Sequence, residues 1–192
     1  MERIITGWNI VWKRYYEAFA SLSIVKKIAL SAGFAVLTAL SAQLYIPLPF
    51  TPVPVTGQVF AVLLAGVLLG RKAGALSQLL YLAVGSAGMN YWFYGSGMGF
   101  IRPTTGYIAG FILAAYLIGF LTEKNRSRTG MIFAMLCGIT VILSAGTLWL
   151  ALFLRVPLYK AFLMGFLPFI PLDIVKAYFA GAIANSIIKN RY

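Results

Sequence analysis

Histidine is absent from the 192-residue chain. Without it, Ser–His hydrolysis, His-ligated metal chemistry and haem attachment through imidazole are excluded. Cysteine is nearly absent too. Cys137 stands alone in an apolar run, so neither a disulfide framework nor a thiolate cluster is available, and a small packing residue is the role left to it. Acidic residues number four, Glu2, Glu17, Glu123 and Asp173, which denies the chain the paired aspartates of an aspartic protease. No G-x-x-x-x-G-K-[ST] phosphate loop occurs, so any ATP-driven step requires another chain. Catalysis inside a membrane is the weakest reading of such a sequence, because one acid in an apolar run has no partner base or nucleophile.

What the chain does contain is apolar surface. Hydrophobic residues make up 61% and charged residues 10%, with a mean hydropathy of +0.87, too little polar surface to coat a soluble globule of this length. This composition marks an integral membrane protein. The net charge of +12 does not indicate a nucleic-acid binder, since the basic residues sit in short clusters between apolar runs rather than on a soluble face. Six apolar stretches follow one another, 28–46, 55–70, 73–88, 105–122, 131–154 and 172–188. Several are shorter than the roughly 20 residues of a straight span. The expected fold is an all-α integral membrane protein, a compact bundle of six transmembrane helices forming one domain over 28–192.

The basic residues orient that bundle. With both termini on one side, twelve of the sixteen Lys and Arg collect there, and only Arg102, Arg155 and Lys160 fall opposite, Lys176 lying within the last span. The positive-inside rule then places both termini in the cytoplasm and Asp173 in the outer half. Residues 1–27 form a separate basic and aromatic segment; its charged region is too long, and the apolar stretch 28–46 too continuous, for a typical cleaved signal. Ile5, Trp8, Trp12, Tyr15, Phe19 and Leu22 recur at helical spacing there, as in a helix lying on the interface. A ragged basic terminus with aromatic anchors fits the same pattern.

Small residues recur at i, i+4 in two runs, Ser31, Ala35, Ala39 and Gly106, Gly110, Ala114. Such stripes allow close helix approach, within the bundle or against a partner subunit. Two external loops are unusual. In "IPLPFTPVPVTGQ" four prolines remove amide donors and favour a stiff extended cover. In "GMNYWFYGSGMGFIRPTTGY" a run of aromatics precedes a glycine-rich stretch and Arg102; it reads either as an interfacial belt or as the wall of a site for an apolar ligand with an anionic end.

Asp173 and Lys176 stand three apart in the last apolar run. In one reading Asp173 interacts with the positive end of its helix while Lys176 snorkels outward. In the other, the i, i+3 spacing puts both on one face toward a cavity.

Three motifs now bear on that choice. "IPLPFTPVPVTGQVFAVLLAGVLLG", the glycine-rich loop leading into "RPTTGYIAGF", and "FLPFIPLDIVKAYFA" together resemble the BioY family, the biotin-binding S components of energy-coupling factor transporters. The resemblance runs from about Ile28 to the C-terminus. It departs where the family's G-P-T-G-G-Y reads Arg102-Pro103-Thr104-Thr105-Gly106-Tyr107 and its P-G-D reads Pro171-Leu172-Asp173. The resemblance implies high-affinity capture of biotin at a prokaryotic cell membrane, with biotin as transported ligand and no cofactor. It implies as partners a transmembrane coupling subunit and two ATP-binding subunits, where ATP is hydrolysed. It also implies ligand contacts from Asp173 and Lys176, to which Arg102, Asn90, Tyr91, Trp92 and Tyr107 are added, and a docking face at Ala35 and Ala39. An S component for another vitamin and a non-transporting membrane scaffold are the alternatives.

Overall fold

The computed structural model describes residues 2–88, 92–93, 101–125 and 127–191. Helices α1 (Glu2–Ala20) and α2 (Ile24–Ala42) lead into a hairpin of strands β1 (Tyr45–Leu48) and β2 (Thr51–Thr56). There follow α3 (Gln58–Ser86), α4 (Thr105–Lys124), α5 (Arg128–Leu154), the short α6 (Leu158–Gly165), a 3-10 turn and α7 (Ile170–Arg191). Ser23 and Ser127 cap α2 and α5 by accepting from the amides of Lys26 and Gly130.

Among the described residues, five helical segments are long and apolar enough to cross a membrane, one of them running from α6 through α7. One of the five, α3, is two limbs. Gly70 at φ 73° and ψ −177° breaks it, in a region of backbone space open essentially to glycine alone. The break folds the chain back, since the Gln58 side-chain amide donates to the Tyr81 hydroxyl although 23 residues separate them. A straight helix would hold those positions about 34 Å apart. With α2, α4, α5 and α7, the two limbs complete a six-limbed bundle, dividing where the apolar runs 55–70 and 73–88 divide.

Every residue from Ala61 to Gly70 is buried, so the first limb of α3 is the central helix. That follows from its sequence, apolar on all sides with no polar face to offer to water. Outward-facing Leu40, Leu148, Leu152, Tyr178 and Phe179 form the apolar surface that hydrocarbon would cover.

A helix that stops inside a bundle leaves its last carbonyls and the next limb's first amides without partners. Both sets are supplied from elsewhere. From α1, the Tyr15 hydroxyl donates to the Leu68 carbonyl at 3.0 Å and the Tyr16 hydroxyl to that of Val67 at 2.5 Å. From α4, Glu123 accepts the Arg71 amide at 2.9 Å and pairs with its guanidinium at 3.2 Å. Trp12, Tyr15 and Tyr16 are thereby buried, and α1 closes this end of the bundle through an edge that includes Tyr16, which the spacing of the aromatics did not single out.

Two expectations need correction. The domain is not wholly helical, because the proline loop pairs with itself as β1–β2, with Ile46 opposite Val55 and Leu48 opposite Thr51. Alternating prolines forbid a helix but not a short two-stranded ladder, while the Val53 amide donates to the Thr51 hydroxyl at 3.2 Å within its own strand. The stripe at Ala35 and Ala39 is not a free docking face either. Both alanines are buried within the chain, at 3% and 7% exposure. The same side of α2 is tied to the second limb of α3, where Ser31 donates to the Ala73 carbonyl at 2.9 Å and Gln78 donates to Thr38 at 3.3 Å. The second stripe is also internal, Gly106 lying against Trp149 and Gly110 against Ala145 of α5.

Candidate ligand site

At the end of the bundle opposite the Gly70 turn, the hairpin and the starts of α3, α4 and α7 enclose a cavity of about 250 Å³. Each element enters for a local reason. Strand β2 buries Thr51, Val53 and Val55, and Val53 lines the cavity together with Pro52, Pro54 and Thr56 of the alternate set. Gln58 opens α3 and is held at both ends of its amide, accepting from the Thr56 hydroxyl at 2.8 Å and donating to Tyr81.

Arg102 approaches from the start of α4, its backbone fixed on both sides. Its amide donates to the Thr105 hydroxyl at 2.9 Å, and its carbonyl accepts the Trp149 indole N–H at 2.6 Å. Tyr107, one turn further on, donates its hydroxyl to the Gly165 carbonyl at 2.6 Å. Its ring occupies space left by Gly146, where an added Cβ would lie 2.2 Å from Cδ1. Phe93, Phe111, Ile142, Leu143 and Phe169 complete an apolar wall.

Asp173 and Lys176 both line this cavity from the first turns of α7. Lys176 Nζ lies 2.7 Å from Asp173 Oδ1, with the side chains 17% and 2% exposed. Among the described residues no backbone amide donates to Asp173, so it does not act as a hydrogen-bonded cap. Its other oxygen, Oδ2, accepts from no described protein donor. A carboxylate buried to this degree depends on its counter-ion and gains from any further hydrogen bond it is offered. The arrangement therefore offers a ligand one strong acceptor beside a cation, within aromatic and aliphatic walls, with Arg102 and Gln58 as further polar groups.

Of the residues expected from the sequence, Asp173, Lys176, Arg102 and Tyr107 meet at this cavity. Asn90 and Tyr91 lie outside the described residues. Trp92 is not among the lining residues. Its indole N–H donates to the Tyr81 carbonyl at 2.8 Å and its ring stacks on Tyr81, so it braces α3, and Phe93 lines the cavity instead. Sequence reasoning missed Tyr45, Thr56, Gln58, Phe111 and Phe169. Gln58 carried a usable signal, a polar side chain at the head of an otherwise apolar run. Phe111 carried one in its i, i+4 relation to Tyr107.

Comparison with known proteins places the chain in a family. The sequence model described as the BioY family matches residues 13–191. A relative from Pyrococcus horikoshii, named probable biotin transporter BioY, is 41% identical over 167 residues, covering 86% of this chain and 98% of its own. The biotin transporter BioY of Thermotoga maritima is 35% identical over 147 residues, with 76% of this chain and 86% of the relative covered. A crystal structure of the S component for biotin from an ECF-type ABC transporter superposes with a TM-score of 0.80 at 28% identity, covering 88% of this chain and 95% of that one. With a match over nearly its whole length and a fold shared with a solved S component, the chain belongs to the BioY family.

Proposed function

We propose that this chain is the biotin-binding S component of an ECF transporter, capturing biotin in the cavity under the β1–β2 hairpin. The observation that carries the reading is the Asp173–Lys176 pair, closed into an apolar cavity with one carboxylate oxygen that no described residue engages. Biotin presents complementary chemistry. Its ureido N–H groups suit Asp173 through charge-assisted hydrogen bonds, and its ureido oxygen suits a cation beside that carboxylate. Its thiophane ring and aliphatic chain suit the walls formed by Phe93, Phe111 and Phe169. With Lys176 engaged by Asp173, Arg102 is the cation placed to meet the valerate carboxylate.

In this reading the cavity end faces outward and both termini lie in the cytoplasm of a prokaryotic cell. The clustering of Arg71, Lys72 and Lys124 at the Gly70 end supports that orientation. Energy for uptake would come from two ATP-binding subunits acting through a transmembrane coupling subunit. Docking would use surface other than the buried Ala35 and Ala39. Calorimetric titration of the purified chain with biotin, thiamine and riboflavin tests the ligand. Saturable binding of biotin alone supports the proposal, and selective binding of another vitamin would replace it. Titration with a biotin amide tests the tail assignment. Wild-type protein should lose affinity for the amide, whereas Arg102→Gln should bind acid and amide alike.

A further inference from the structure

The opposite end of the bundle carries a second concavity that ligand capture does not use. A groove of about 640 Å³ lies where α1, the start of α2, the Gly70 turn and the end of α4 meet. Lys27, Arg71, Lys72 and Lys124 line it against Glu17 and Glu123. Glu123 is engaged by Arg71, and Glu17 stands 3.9 Å from Lys13. Among the described residues Lys27, Lys72 and Lys124 pair with no carboxylate.

Two of these lysines are held in place rather than loosely solvated. Lys27 donates to the Ala20 carbonyl at 2.7 Å, and the Lys124 ammonium lies 4.4 Å from the centre of the Phe120 ring. Three ammonium groups around one groove repel each other, and an anion between them converts that repulsion into attraction. The flank is apolar. Ile24 and Val25 are each 70% exposed on the first turn of α2, and Phe19 and Phe120 line the groove itself. A free anion makes no use of that flank. A phospholipid does, with its phosphate among the lysines and its acyl chains along α2 toward the hydrocarbon.

We propose that this groove binds the headgroup of an anionic phospholipid through Lys27, Lys72 and Lys124, at the junction of α1 with the bundle. Because α1 supplies one wall, the lipid also fastens α1 to the Gly70 turn. The inference rests on the membrane-spanning fold and is independent of which vitamin occupies the other cavity.

The test uses the full chain in nanodiscs of phosphatidylcholine, with or without phosphatidylglycerol. Lipid retained after gentle detergent extraction is measured by native mass spectrometry, and thermal midpoints are measured without vitamin. Phosphatidylglycerol should be retained in preference to phosphatidylcholine and should raise the midpoint, both effects weakening at high salt. Combined Lys27→Gln, Lys72→Gln and Lys124→Gln should lower phosphatidylglycerol retention about tenfold or more. Lys160→Gln, an exposed lysine outside the groove, should leave it unchanged. The single exposed change Lys72→Gln, which should weaken retention measurably, serves if the triple variant does not fold. Equal retention of the two lipids, or wild-type retention in the variants, overturns the proposal. Equal stabilisation by inorganic phosphate would also overturn it, by assigning the groove to a free anion.

Discussion

Replacing Lys176 by Met removes the cation beside Asp173 while keeping most of the stem. The carboxylate left behind is 2% exposed and loses its only described hydrogen-bond donor. Breaking a buried pair from one side costs about 3 to 5 kcal/mol when the remaining charge persists. Lys176 is 17% exposed, so water already reaches the ammonium, and the lower end of about 3 kcal/mol applies. The ligand-free melting temperature of Lys176→Met should therefore fall. Asp173→Asn strands a less buried lysine and should cost less. The double variant should recover part of the loss, because neither charge remains uncompensated. Biotin affinity reads a different quantity. Asp173→Asn keeps the shape but turns one acceptor into a donor opposing the ureido N–H, so affinity should drop at least tenfold, about 1.4 kcal/mol. Calorimetric titration beside ligand-free melting separates the two effects. Lower melting temperatures with unchanged biotin affinity in both single variants would refute the ligand role and leave the pair as structure alone.

Ala35→Trp should lower ligand-free stability by at least about 1–3 kcal/mol and weaken biotin binding with it, since the site is 3% exposed. Size-exclusion and melting curves check this, and a well-folded variant that loses only association with the coupling subunit would return the stripe to a partner face. Gly70→Ala should cost about 1–3 kcal/mol from the left-handed backbone alone. Its new Cβ would stand 2.6 Å from the Glu123 carboxylate, and unchanged thermal unfolding would show that the α3 turn is not built as described. Tyr107→Phe removes the hydroxyl bond to the Gly165 carbonyl and should lower stability by about 1 kcal/mol, with a smaller loss of biotin affinity as the ring loses its anchor. A melting temperature equal to wild type would count against that anchor.

Much of the site was legible because burying charge in an apolar segment is expensive, so an acid and a base three residues apart stand out against their surroundings. Arg102 was legible as the cation that follows the aromatic and glycine-rich loop, and Tyr107 through the motif that carries the family resemblance. The aromatic run was harder to assign. Neighbouring Trp92 and Phe93 are both large aromatic residues, yet one braces Tyr81 and the other lines the cavity. Gln58 was passed over because its purpose depends on Thr56 and Tyr81, the latter distant in sequence.

By itself the sequence determined the membrane class, the number of apolar runs and their division near Gly70, since hydropathy and the lack of acidic residues are properties of composition and order. It also determined that the proline segment is extended, because proline lacks the amide a helix interior needs. Only the tertiary structure decided that this segment pairs into a hairpin over the cavity, and that Ala35 and Ala39 are buried on the side of α2 that meets the second limb of α3. It likewise decided that Tyr15 and Tyr16 satisfy the carbonyls stranded at the turn. A small-residue stripe or an aromatic spacing states that a surface can pack closely, while what it packs against depends on chain reversals that bring distant segments together.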